Sequence, residues 1–88
     1  MKLKPDYVLR QVAGTWVVLP LGETAVNFSG MIRLNDSGAM LWKLLEQGGD
    51  KAALVDALTR EYTVSPAQAD ADVEEFLAKL EQAGCIRK

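Results

Sequence analysis

Eighty-eight residues leave room for one domain, and a chain of this length removes roughly 60–68% of its unfolded surface from water, enough for one modest core. Hydrophobic residues make up 49% and charged residues 25%, the balance of a globular protein and not of a disordered tail. The ten Lys/Arg and twelve Asp/Glu are unevenly placed: residues 1–44 carry a net +2 and residues 45–88 a net −4, which argues against a nucleic-acid partner.

Met1-Lys2-Leu3-Lys4-Pro5 has charge but no apolar stretch behind it, so it does not read as a signal peptide. Apolar runs such as Trp16 to Leu19 reach only four residues, far below the roughly 20 that cross a bilayer. The expectation is a cytoplasmic chain with no membrane partner. A lone Cys85 cannot close an internal disulfide, which suits a reducing compartment.

Tyr7 to Val12 and Thr15 to Pro20 are β-rich runs about Ala13-Gly14, a hairpin signature. Pro20 ends the second run, because proline brings no N–H to a ladder. After a loop at Leu21 to Thr24, Ala25 to Phe28 and Met31 to Leu34 form a second hairpin candidate about Ser29-Gly30. The sheet should thus hold three or four short antiparallel strands. Within the last, the two-residue period puts Ile32 and Leu34 on the core face and Met31 and Arg33 on the other.

Asn35-Asp36-Ser37 supplies caps for a helix that starts at once, with Ala39, Leu41, Trp42, Leu44 and Leu45 as its apolar stripe. Gly48-Gly49 stops it. Asp50 caps a second helix with Leu54, Val55, Leu58 and Tyr62 inward. Ser65-Pro66-Ala67-Gln68 is a capping box with proline at the first helical position. The third helix then carries Ala69, Val73, Phe76, Leu77 and Leu80 as its stripe. Gly84 takes a left-handed cap, and Cys85-Ile86 returns to the core. The fold class is α+β, a small antiparallel sheet followed by three helices.

Chemistry is scarce. Histidine is absent, so the commonest general base and metal ligand are both missing. Cys85 has no partner to lower its pKa and reads as a small apolar filler. Asp70, Asp72, Glu74 and Glu75 spread around the third helix and read as a solvated face. No phosphate-cradling glycine motif is present. The expectation is a non-enzyme with no cofactor and no metal. Strands followed by three helices also fit a winged-helix DNA-binding regulator, but the third helix, Ser65 to Gln82, has five acids against Lys79 alone and would repel phosphate.

Leu34-Asn35-Asp36-Ser37-Gly38-Ala39-Met40-Leu41-Trp42-Lys43-Leu44-Leu45 resembles the "LN-x-[TS]-G-A-x-x-W-x-L-L" core of the PqqD-like family. Leu58 to Tyr62 is similar to its "L-x-x-x-Y", Asp72 to Leu80 to its "D-V-x-x-F-L-x-x-L", and Gly84-Cys85-Ile86 to its closing "G-L-I", with Cys85 a departure. The likeness runs over roughly residues 5–87 of a single domain spanning 1–88. It implies a winged-helix-like peptide recognition element that binds the leader of a ribosomally made precursor peptide. Such a domain is a peptide chaperone in biosynthesis, of pyrroloquinoline quinone or another product, and presents the leader to a modifying enzyme, often a radical S-adenosylmethionine (radical SAM) enzyme.

In the family the leader adds as a strand beside the third helix. Carried over, the resemblance implies a site of Met31, Ile32, Arg33 and Leu34 on the strand with Asp72, Val73, Phe76, Leu77 and Leu80 on the helix. The short strand then has a purpose, since unpaired edge N–H and C=O groups are a template for another strand. The leader should be amphipathic, with two or three hydrophobic anchors and a Lys or Arg to meet Asp72. The chain itself should be a monomer or weak homodimer. A structural docking subunit that binds no peptide is the alternative.

Overall fold

The β-branched and aromatic runs on either side of Ala13-Gly14 form the hairpin that their composition predicts. In the computed structural model, which describes residues 2–22 and 32–87, these are β2 (Tyr7–Val12) and β3 (Thr15–Pro20), after a two-residue β1 (Lys2–Leu3). Then come β4 (Ile32–Leu34), α1 (Asp36–Glu46), α2 (Lys51–Glu61), α3 (Pro66–Gln82) and β5 (Ile86–Arg87). The first arm of the expected second hairpin, Ala25 to Phe28, its turn and Met31 lie outside the described residues.

Both residues of the β2–β3 turn have positive φ, 51° at Ala13 and 79° at Gly14. That is the backbone of a primed hairpin turn, whose twist matches the strands. Glycine accepts it freely, whereas alanine there costs about 1–2 kcal/mol.

Strand β3 is central in the antiparallel order β2-β3-β4, with Trp16 opposite Leu34, Val17 opposite Arg33 and Val18 opposite Ile32. Val18, Ile32 and Leu34 point into the core, while Arg33 between them is exposed. The helices complete that core with Leu41, Trp42 and Leu45 from α1, Leu54 and Leu58 from α2, and Ala69, Val73 and Leu80 from α3. Trp42 is 1% exposed and so is the anchor its Leu-rich surroundings predict, although its indole N–H finds no acceptor among the described residues.

Each helix starts on the cap read from the sequence. Asn35 Oδ1 accepts from Gly38 N at 2.8 Å, Asp50 Oδ1 from Ala53 N at 2.9 Å, and Ser65 Oγ from Gln68 N at 3.1 Å. The capping box at Ser65 is only half made, because the Gln68 side chain turns forward and donates to Asp72 Oδ1 at 2.8 Å. Tyr62 is not an inward residue of α2. It caps the helix in an extended conformation and is 40% exposed.

One pairing was not foreseen. Strands β1 and β5 form a separate antiparallel sheet, with Lys2 opposite Arg87 and Leu3 opposite Ile86, and Lys4 N donates to Cys85 O at 2.9 Å. Gly84, at φ 81°, supplies the reversal out of α3, and Cys85 N bonds Leu80 O at 2.9 Å. Cys85 is fully buried, which pushes its thiol up to about 11 despite the opposing pull of Lys4. It is protonated at neutral pH, as a core filler should be.

Candidate functional site

Backbone geometry at Arg33 defines the site. In an antiparallel strand the N–H and C=O of one residue point to the same side. Arg33 C=O is approached from α3 by Lys79 Nζ at 3.5 Å, so it faces away from β3. Its N–H must therefore face outward too, and Val17–Arg33 is a non-hydrogen-bonded pair. Among the described residues, no strand occupies this outer edge of β4.

A groove of about 390 Å³ runs alongside it. On one bank stand Arg33, Leu34 and Asn35, followed by Ser37, Gly38 and Leu41 from α1. The other bank is one face of α3, Asp72, Glu75, Phe76 and Lys79, and Leu58 of α2 completes the lining. Positions 72, 75, 76 and 79 follow the i, i+3, i+4, i+7 spacing that places side chains on one helix face.

The corner between β4 and α1 is held by Asn35, which takes the helix N-terminal amide of Gly38 and accepts from Ser37 Oγ at 2.9 Å. Gly38 keeps this corner tight, since a Cβ would lie 3.2 Å from both Asn35 Oδ1 and Leu34 Cβ and would push them back by a few tenths of an ångström. The groove's upper wall is therefore set by a cap and by a residue without a side chain.

Of the residues that the resemblance singled out, Arg33, Leu34, Asp72 and Phe76 line the groove. Ile32, Val73 and Leu80 are instead buried at 7%, 0% and 0% exposure, so their side chains serve the core behind it. Leu77 is partly buried against that core and is not in the lining. Met31 lies outside the described residues.

Sequence reasoning missed Glu75 and Lys79 on α3, and Asn35, Ser37, Gly38, Leu41 and Leu58 around them. The signal for the first two was present, because they share the helical face of Asp72 and Phe76. Four of the five acids of α3, Asp70, Asp72, Glu74 and Glu75, also divide. Asp70 (3.1 Å) and Glu74 both pair with Lys51 at the start of α2, raising its pKa through hydrogen bonds to the two carboxylates. Asp72 and Glu75 are left for the groove.

A second recess, of about 410 Å³, lies between β1 and α1 and is lined by Lys2, Lys4, Tyr7, Trp42 and Glu46 among others. It is slightly larger, but β1 is already paired with β5. What distinguishes the β4 groove is the Arg33 backbone, whose carbonyl turns toward α3 along it. No group of three or more His, Cys, Asp or Glu among the described residues could hold a metal ion, and no described helix is long and apolar enough to cross a membrane.

A three-stranded sheet whose outer β4 edge has no strand beside it among the described residues, backed by three helices with a groove beside the last, defines a small α+β domain. Residues 15–86 match the family model of Coenzyme PQQ synthesis protein D (PqqD), and the chain belongs to that family. Its fold is similar to a solved structure of TbiB1 in complex with the TbiA(beta) leader peptide, at 27% identity and a TM-score of 0.79 over 97% of this chain and 93% of that one. The structure of lasso peptide synthetase B1 complexed with the leader peptide shares the fold at 24% identity, TM-score 0.80, over 99% and 96% of the two chains. No curated protein sequence matches the chain.

Proposed function

We propose that this chain is a non-catalytic adaptor that binds the leader of a ribosomally synthesised precursor peptide. The leader adds as a strand to the outer edge of β4, and the adaptor presents it to a modifying enzyme. A radical SAM enzyme is the class that the family resemblance implies. The observation that carries this reading is the outward-facing Arg33 backbone beside the α3 groove, and the leader-bound state of TbiB1 supports it.

Magnitudes divide the work between backbone and side chains. Arg33 offers two backbone hydrogen bonds at about 0.5–1.5 kcal/mol each. Association costs ~4–15 kcal/mol. Backbone pairing therefore sets register, and affinity comes from apolar side chains buried over Phe76, Leu34, Leu41 and Leu58, at about 1.5–3 kcal/mol apiece.

The test is a titration with the precursor leader encoded beside the gene, followed by amide NMR. Signals of Arg33, Leu34 and the 72–79 face of α3 should shift and saturate. Arg33→Pro removes an outward N–H, which an edge strand tolerates, and should weaken binding about tenfold with little loss of melting temperature, with Arg33→Ala as the control for the lost side chain. Phe76→Ala should do the same through the groove. Amides unmoved at saturating leader would sink the proposal, and co-purification with the enzyme without any peptide effect would favour a structural docking subunit.

A further inference from the structure

Lys79 is the sole cation of α3, and its ammonium reaches across the groove to the edge carbonyl of Arg33. Glu75 lies one turn back on the same helix, yet the two form no ion pair, so the side chain is aimed at the strand edge and not along its own helix. At 3.5 Å the contact sits at the long limit of a hydrogen bond and is easily exchanged. A strand that pairs with Arg33 must take this carbonyl with its own N–H and displace the ammonium. Two turns from Lys79 on the same face Asp72 presents a carboxylate, with that of Glu75 midway beside Phe76.

We propose that the groove selects a charge-polarised strand. The partner carries a carboxylate side chain at the Lys79 end, an apolar residue over Phe76 and a Lys or Arg at the Asp72 end. This inference rests on the strand-addition reading and adds the chemistry of its ligand. The spacing agrees. Seven residues of helix cover about 10.5 Å, and inner-face positions i to i+4 of a strand cover about 13 Å, so successive inward side chains fall beside Lys79, Phe76 and Asp72. Lys79 thus guards the Arg33 carbonyl and, once displaced, becomes the recognition group for the carboxylate that replaces it as partner.

Three synthetic capped strands serve as probes, sharing one apolar centre and differing only at the two flanking inner-face positions: Glu and Lys, Glu and Glu, or Lys and Lys. Dissociation constants come from fluorescence anisotropy at low salt, with the Arg33 amide followed by NMR. The mixed strand should bind the wild-type chain about three- to tenfold tighter than either other, in keeping with exposed ion pairs. In Lys79→Glu the Lys/Lys strand should become the tightest. Equal affinities for all three, or an order unchanged in Lys79→Glu, would overturn the charge reading while leaving strand addition standing. If none of the three moves the Arg33 amide, strand addition fails and the charge reading falls with it.

Discussion

Two short strands in this molecule, each paired with one neighbour, meet different surroundings. Strand β5 is two residues long and closes on β1, with Cys85 and Ile86 sealed in the core and Lys4 completing the backbone bonds. Strand β4 is three residues long, buries Ile32 and Leu34 equally well and likewise pairs with one neighbour, β3, but its far edge fronts the α3 groove. Side-chain burial and one ladder therefore hold each short strand in place, with no second neighbouring strand among the described residues. The core and the β3 ladder together hold β4, and its outward Arg33 groups lie along the groove.

The comparison breaks most severely at Leu34. Leu34→Asp removes a buried side chain and inserts an unpaired charge, and should cost about 4 kcal/mol or more, read as loss of the cooperative urea transition. Ile86→Ala on the closed pair should cost about 2–4 kcal/mol but leave leader affinity of the folded fraction unchanged, which separates the clasp from the groove.

The closed pair should also be the pH-sensitive one. The Cys85 thiol is raised from 9.0 to about 11, so the unfolded chain sheds a proton that the folded chain retains. Stability is full below pH 9 and should fall by about 2 kcal/mol as pH rises towards 11. Burial also raises Tyr7, so the measure is the difference in urea midpoint between wild type and Cys85→Ala, which should lose that part of the slope.

Smaller effects sharpen the contrast without touching either strand's pairing. Ala13→Gly relieves the positive φ of the turn and should stabilise the β2–β3–β4 sheet by up to about 1 kcal/mol. Lys51→Met removes the exposed bridges to Asp70 and Glu74 and should shift the melting temperature least, and less at high salt.

The sequence was most legible where one local interaction decides the outcome. The caps at Asn35, Asp50 and Ser65, the left-handed Gly84 and the inward pair Ile32 and Leu34 all follow from residue type and spacing. Lys2-Leu3 carries no strand signal of its own, because its pairing depends on Ile86-Arg87 more than eighty residues away. Tyr62 fits the helical period of α2, but the chain had already turned extended there.

Half of the groove was readable for the same reason. Arg33, Leu34, Asp72 and Phe76 lie on elements whose faces the pattern defines. Leu58 joins them only because α2 packs behind the junction, and Lys79 only because α3 crosses near the Arg33 carbonyl, both matters of tertiary placement. The reverse error has the same origin: Val73 and Leu80 share the helix but face inward, a quarter-turn from the groove.

The sealed sulfur has a practical side. Cys85 is the chain's only cysteine and is wholly enclosed, so maleimide reagents at neutral pH will find no native target on the folded molecule. One engineered thiol at Ser37, on the groove's rim, would accept a dye alone and report every arrival and departure of a ligand without any prior removal of the natural sulfhydryl.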